Sequence, residues 1–189
     1  MPQRCGQTGL TLIELLTAIA VIAILTVSAT TFGSLLEQHR AVAVESHLKT
    51  LIYTARSEAI MRGTRVVICP SQDRQHCDAQ WHRHILVFTD RNHNRKLDAS
   101  EKSIRYVVLT NTQETLTYNR TMLAFSAMGT AFGTNGTFTY CPGDGNPRHI
   151  AMVVVSVLGR TRLARDLTGD GVVDKSPGKP GHCPGLPGH

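Results

Sequence analysis

Residues 10–32 read LTLIELLTAIAVIAILTVSATTF, a run of apolar and small side chains that carries a single charge, Glu14. A helix of about 23 residues is about 35 Å long, which is enough to cross the roughly 30 Å hydrocarbon core of a bilayer. A carboxylate without a partner is costly in hydrocarbon. The run therefore predicts a membrane helix whose one acid, near its N-terminal end, requires a partner.

A polar leader, MPQRCGQTG, precedes this helix as residues 1–9. In a secretory signal peptide the small residues of the cleavage site follow the apolar segment, whereas here Gly9 stands before it. The order of leader, Gly9, Leu10, apolar run and Glu14 resembles the class III signal of type IV pilins and type II secretion pseudopilins. The resemblance implies that a prepilin peptidase cleaves after Gly9 and that the new N-terminal amine of Leu10 is methylated.

Glu14 is expected to serve assembly rather than catalysis. In a packed filament the amine of Leu10 in one subunit can meet Glu14 of its neighbour in an apolar environment. There the attraction exceeds its value in water, although desolvation offsets much of it. We therefore predict that Glu14 sets the register between neighbouring helices.

The helical pattern continues beyond the apolar run. No proline interrupts residues 10–62, and Gly63 is a natural helix stop. These features predict one helix that ends at Arg62. Its second half is amphipathic, with an apolar stripe at helical spacing formed by Val44, Leu48, Leu51, Ile52, Ala55 and Ala59.

Short runs rich in β-branched residues follow the helix and predict strands. The predicted strands are 65–69, 85–89, 103–109, 115–118, 122–125, 137–141 and 149–158. The predicted fold class is α+β and type IV pilin-like, with a long N-terminal α-helix packed against an antiparallel β-sheet head. The predicted segments are a leader (1–9), a transmembrane and assembly half-helix (10–33), an amphipathic half-helix (34–63), a β-rich globular head (64–165) and a flexible Gly/Pro-rich tail (166–189).

The head carries several motifs that together resemble the GspH/FimT group of minor pilins. They are RVVICPS (65–71), ILVFTDRNHNRKLDASE (85–101), GTAFGTNGTF (129–138) and VSVLGRTR (155–162). With the leader, the resemblance covers roughly residues 5–165. It implies a filament subunit that associates with other major and minor pilins.

The segment Gly159-Arg160-Thr161-Arg162, with Arg165 close behind, follows the most apolar predicted strand. In a strand, Arg160 and Arg162 point to the same face, and guanidinium groups bind phosphates in a planar, bidentate manner. The pattern resembles the GRxR DNA-binding motif of FimT-type pilins, which capture DNA during natural transformation. It predicts sequence-independent, salt-sensitive DNA binding through Gly159, Arg160, Arg162 and Arg165. The alternative is a solvated strand end without a ligand.

The chain has 189 residues, a formal net charge of +6 and five cysteines. The positive charge is compatible with an anionic partner but does not establish one. Cys5 leaves with the leader, and an even number of cysteines outside the cytoplasm indicates two disulfides with three possible pairings. The spacing of Cys69 and Cys77 suits a local bridge, which leaves Cys141 and Cys183. A zinc site formed by Cys69, Cys77, His82 and His84 is the disfavoured alternative because its spacing is irregular.

Two loops have partial EF-hand spacing. In Asp90–Glu101 the glycine position is occupied by Arg95, which we expect not to adopt positive φ easily, so a turn stabilised by Asx side chains is favoured. Asp166–Asp174 has Gly171 at that position, but Pro177 replaces the final bidentate glutamate. No metal or cofactor is therefore predicted.

Catalytic motifs are absent from the sequence, which contains no GxSxG, HExxH or phosphate-binding loop. Trp81 is expected to pack in the head, with base stacking as the alternative. The predicted protein is a non-enzymatic, single-pass inner-membrane minor pilin with its head in the periplasm, incorporated into a pilus and binding DNA. The alternatives are a structural or priming subunit at the pilus tip and a type II secretion pseudopilin, both without DNA binding.

Overall fold

A computed structural model of the chain describes residues 11–81, 84–108 and 113–183, without the side chains of residues 24–35. The predicted cleavage site, Gly9 and Leu10, lies outside the described residues. The chain divides into two compact units, Met1–Gln38 and His39–His189.

Helix α1 runs over Leu12–Arg62, 51 residues. Its N-terminus forms a capping box, because the Glu14 carboxylate accepts a hydrogen bond from the backbone N–H of Thr11 (3.3 Å) and Glu14 N–H donates to Thr11 Oγ1 (3.4 Å). At the other end Gly63 has φ of +58° and donates to the carbonyl of Ile60, while Thr64 donates to Ala59. This is a Schellman motif, and the predicted helix end is confirmed.

Within the parts of the chain that the structure describes, no helical segment combines the length and the apolar character that a membrane crossing requires.

The strands formed by the described residues all pair antiparallel and make two four-stranded sheets and one hairpin. The first sheet has the order β3-β2-β1-β5, the second has the order β4-β6-β7-β8, and β9 pairs with β10. The strands are β1 (Val66–Pro70), β2 (His84–Thr89), β3 (Ser103–Val108), β4 (Thr115–Tyr118), β5 (Leu123–Phe125), β6 (Gly136–Cys141), β7 (Ala151–Val155), β8 (Thr161–Leu163), β9 (Asp174–Ser176) and β10 (Lys179–Pro180).

The main core lies between the C-terminal part of α1 and one face of each sheet. Ile52 of α1 is fully buried, as are Ile68 of the first sheet and Val153 of the second. Burial of this kind is worth about 1.5–3 kcal/mol for each large aliphatic side chain. The predicted α+β fold is confirmed, with two sheets sharing the helix as a common support.

A second, smaller cluster covers the opposite face of the first sheet. It contains Val67, Leu86 and Phe88, packed against Cys77 and Leu97 of the neighbouring loops. Because both faces of this sheet are covered, β1 is buried at every position. This explains why its sequence is continuously apolar rather than alternating.

The segment predicted as a flexible tail contains the β9–β10 hairpin. Asp174 is buried there, and its Oδ2 accepts a hydrogen bond from Leu167 N–H at 2.7 Å. Cys183 packs with Ile150 and Met152 on the outer face of the second sheet. Residues 166–183 therefore contribute to the head, and residues 184–189 lie outside the described part of the chain.

Candidate nucleic-acid interface

The predicted strand over 149–158 is shorter in the structure, because β7 ends at Val155 and a tight turn follows. Ser156 N–H donates to the carbonyl of Arg160 (2.8 Å), and Gly159 N–H donates to the carbonyl of Ser156 (2.9 Å). The Ser156 hydroxyl oxygen also accepts from Arg160 N–H (3.1 Å). The turn therefore ends at Arg160, and β8 begins at the next residue.

Gly159 has two reasons to be glycine. Its φ is +73°, a left-handed conformation that costs side chains about 1–2 kcal/mol. In addition, a Cβ there would lie 2.1 Å from the carbonyl oxygen of Gly129. Gly159 thus acts through the shape of the turn.

Arg56 of α1 holds this turn against the loop that contains Gly129. Its Nε donates to the Gly129 carbonyl at 2.9 Å, and its Nη2 donates to the Leu158 carbonyl at 3.4 Å. These contacts join positions 73 and 102 residues apart in sequence, so the sequence pattern could not identify Arg56 as a supporting residue.

Strand β8 is an edge of the second sheet and contains Arg162, while Arg160 directly precedes it. Thr161 pairs with Val155 and Arg162 pairs with Val154. Leu163 packs towards the main core, whereas Arg160 and Arg162 are exposed. Within β8, Arg162 therefore lies on the face opposite Leu163, while Arg160 lies in the turn directly before the strand.

Arg162 contacts the tail through its side chain, and Arg165 contacts it through its backbone carbonyl. Arg162 Nη2 donates to the carbonyl of Lys175 at 3.0 Å. The carbonyl of Arg165 accepts from Asp174 N–H at 2.8 Å. The Arg165 side chain is exposed. The tail hairpin therefore supports the arginines and adds an exposed Lys175 beside them.

A groove of about 550 Å³ runs between α1 and β8, and it will be called the β8 groove. It contains three cationic side chains and one acid. Its lining residues are Glu45, Lys49, Arg162, Leu163, Ala164, Arg165 and Leu167. Sequence analysis did not identify Lys49, whose only signal was its helical spacing from Glu45.

Burial raises the pKa of the Glu45 carboxyl, while a backbone hydrogen bond from Met152 and the charge of Lys49 act in the opposite direction. Glu45 therefore carries its negative charge less readily than an exposed glutamate.

Asp166, which stands between Arg165 and Leu167 in sequence, is satisfied by its own loop. Its carboxylate accepts hydrogen bonds from Gly169 N–H (2.7 Å), Gly171 N–H (2.8 Å) and Thr168 N–H (3.1 Å). These bonds lower the pKa of Asp166. The acid closes a turn and does not pair with the neighbouring arginines.

The Asp90–Glu101 loop is closed by Asx contacts, since Asn92 Oδ1 accepts from Asn94 N–H (3.2 Å) and Asn94 Oδ1 accepts from Lys96 N–H (2.8 Å). The expectation that Arg95 avoids positive φ is wrong, because its φ is +62°. The turn tolerates this conformation since Arg95 N–H points to Asp90 Oδ1 at 3.4 Å. Across residues 11–81, 84–108 and 113–183, no group of three or more His, Cys, Asp or Glu side chains is placed to hold a metal ion.

Both pairs of cysteines outside the leader are oxidised. Cys69–Cys77, here the loop disulfide, spans 8 residues, and Cys141–Cys183, here the tail disulfide, spans 42 residues. Zinc binds cysteine as a thiolate, and a sulfur in a disulfide has no thiolate, so the zinc alternative is wrong for these cysteines. His82, the third residue of that alternative, lies outside the described residues.

Trp81 packs in the head, as preferred from the sequence. Its ring makes edge-to-face contacts with Tyr118 (centroids 5.6 Å apart) and Phe138 (5.2 Å). Its Nε1 donates to the carbonyl of Arg120 at 2.6 Å. With its ring committed to these contacts, Trp81 is not a free stacking platform.

Comparison with known proteins gives two family matches. The family model described as type II transport protein GspH matches residues 29–159, and the prokaryotic N-terminal methylation motif matches residues 4–30. None of the curated protein sequences matches the chain significantly.

The fold is similar to crystal structures of the type IV minor pilin FimU of Pseudomonas aeruginosa. One has a TM-score of 0.51 and 20% sequence identity, covering 68% of this chain and 91% of that chain. A second crystal form gives a TM-score of 0.45 and 21% identity, covering 64% and 89%. The first likeness shows the type IV pilin fold. Together with the family model, which spans more than half of the sequence, it establishes that this chain belongs to the GspH/FimT family of minor type IV pilins and pseudopilins.

Proposed function

We propose that this minor pilin binds DNA without sequence preference and serves DNA uptake during natural transformation. The observation that carries the proposal is the exposure of Arg162 on the edge strand β8, of Arg160 in the turn directly before it and of Arg165 just after it. Exposed guanidinium groups on one face match the repeated phosphates of a nucleic-acid backbone.

The β8 groove extends this cationic surface towards α1. Lys49 adds a flexible point charge, while the arginines supply planar donors. Since Arg162 spends one donor group on the carbonyl of Lys175, its remaining N–H groups can contact a phosphate from a fixed position. A fixed guanidinium loses less side-chain entropy on binding.

The N-terminal segment would place the head outside the cytoplasm. We propose cleavage by a prepilin peptidase after Gly9, methylation of Leu10 and single-pass anchoring in the inner membrane, with the head in the periplasm before incorporation into a pilus. The methylation-motif match over residues 4–30 supports this proposal. Glu14, which caps α1 through Thr11, would exchange part of that contact for the Leu10 amine of a neighbouring pilin.

The test compares the DNA affinity of the full-length protein in detergent with that of Arg160→Ala/Arg162→Ala. The wild type is expected to retard duplex DNA at low salt, and the double variant to lose most of this binding. Arg91→Ala/Arg105→Ala is the matched control, because it removes the same charge from exposed positions distant in sequence from β8. Equal binding by all three proteins would contradict DNA binding through β8.

A second candidate is a type II secretion pseudopilin without DNA binding, favoured by the description of the matching family model. A structural or priming subunit at the pilus tip is related to it. Both predict that Arg160→Ala/Arg162→Ala leaves filament assembly and secretion unchanged and that the wild type does not bind DNA. A strain carrying the double variant separates the roles, since a receptor defect lowers transformation while pilus number stays the same.

A further inference from the structure

Four apolar side chains are exposed to solvent, two in the β7–β8 turn before Arg160 and two in the β5–β6 loop that is hydrogen-bonded to it. Phe132 is 85% exposed, Met128 is 81% exposed and Leu158 is 60% exposed, with Val157 also exposed. We call these four residues the apolar patch. Large apolar side chains grouped at the surface mark binding sites more often than scattered ones do.

Hydrogen bonds hold the patch in place from both sides. Ala131 N–H donates to the carbonyl of Val157 at 2.8 Å, which joins the loop of Phe132 to the β7–β8 turn. Asn135 N–H donates to the carbonyl of Ala131, also at 2.8 Å, and closes the turn that presents Phe132. Arg56 ties the same two segments together. These hydrogen bonds therefore hold the Phe132 loop against the β7–β8 turn in the position in which Phe132 is exposed.

The patch adjoins the start of the arginine motif. Leu158 belongs to the patch, Gly159 contacts the Gly129 backbone, and Arg160 begins the exposed cationic face. A ligand that covers both must offer flat apolar faces and regularly spaced negative charges. Single-stranded nucleic acid has this combination, because its bases stack on aromatic side chains while its phosphates meet cations. In a duplex the base faces are occupied by one another.

We propose that the DNA-binding surface prefers single-stranded DNA, with a base stacked on Phe132 and the following phosphates on Arg160 and Arg162. This rests on the proposed function and adds to it the strandedness of the ligand and a base-contacting residue. The charge of the adjoining arginines favours a nucleic acid over a second pilin as the occupant of the patch.

The test measures fluorescence anisotropy of a labelled oligothymidylate and of a labelled duplex with the full-length protein in detergent. Phe132→Ala is expected to weaken single-strand binding about 5- to 150-fold, the value of one base–aromatic stack, and to change duplex binding less than twofold. Phe132→Trp should retain single-strand binding. Val108→Ala, which shortens an exposed apolar side chain on β3, is the control and should change neither affinity.

The outcomes separate the inference from the proposed function. If Phe132→Ala leaves single-strand affinity unchanged, or weakens both forms equally, the stacking role is overturned while DNA binding stands. Unchanged single-strand affinity combined with a loss of pilus assembly would assign the patch to a pilin–pilin contact and would also overturn the inference. If the wild type binds neither form, both the inference and the proposed function fail.

Discussion

Replacing Gly159 by alanine tests whether the turn geometry supports the arginine motif. The left-handed φ of +73° costs an alanine about 1–2 kcal/mol. The new Cβ would lie 2.1 Å from the Gly129 carbonyl oxygen, so the two backbone segments must separate. Loss of the Arg56–Gly129 hydrogen bond adds about 1.5–3 kcal/mol, because its donor is charged. The expected loss of unfolding free energy is therefore about 2.5–5 kcal/mol.

Gly178 provides the matched control for this substitution. Its φ is +71°, close to that of Gly159, but nothing lies within 4 Å of the position of a Cβ. Gly178→Ala should therefore cost only the conformational part, about 1–2 kcal/mol. Urea unfolding followed by the fluorescence of the single tryptophan, Trp81, measures both. Equal losses in the two variants would refute the reasoning, because the close approach to Gly129 would then have no energetic consequence.

The other predictions concern the disulfides and the β8 groove. Serine substitution of both cysteines of the tail disulfide should lower the free energy of unfolding by about 4 kcal/mol, and the same substitution in the loop disulfide by about 2.5 kcal/mol. The difference arises because the two bridges span 42 and 8 residues. Equal losses in urea unfolding would contradict this. Because burial raises the pKa of Glu45, the folded state retains this proton to higher pH, and stability falls as pH rises from the unfolded to the folded pKa. Glu45→Gln should remove that decline, and superimposable pH–stability curves for the two proteins would argue against it. Lys49→Ala should weaken duplex binding and reduce the salt dependence by about one phosphate contact, as measured by anisotropy at several salt concentrations; an unchanged slope would place Lys49 outside the interface.

Local chemistry made much of the fold predictable. Gly63 ends α1 because a left-handed C-terminal residue completes the helix cap, and this depends on neighbouring residues only. The strands of the head were visible from their β-branched residues. The division into two sheets was not, since a strand's partners depend on long-range packing that periodicity does not encode.

The site was predictable where it depends on spacing and not where it depends on distant contacts. The exposure of Arg162 opposite Leu163 follows from strand alternation, whereas Arg160 lies in the turn before β8. Arg56 and Lys49 reach the site from α1, and no local motif marks them. The expectation for Arg95 was wrong for the opposite reason. It relied on the general preference of non-glycine residues for negative φ, and the turn holds Arg95 at positive φ instead.

Aromatic residues illustrate the same limit. Packing of Trp81 in the head was expected, with base stacking as the alternative, and its ring and its N–H are indeed committed within the head. Phe132 lies in the Gly- and Thr-rich motif GTAFGTNGTF, whose sequence did not indicate that its ring is exposed. Its exposure results from the contact of that loop with the β7–β8 turn.

The central claim, that Arg160, Arg162 and Arg165 bind phosphates, is tested most directly by the salt dependence of duplex binding. Four phosphate contacts, from Arg160, Arg162, Arg165 and Lys49, predict a slope of log affinity against log salt of about −3.6, or about a 150-fold loss of affinity between 50 and 200 mM salt. Arg160→Ala/Arg162→Ala should reduce the slope to about −1.8. A slope that stays the same in the double variant would contradict the account.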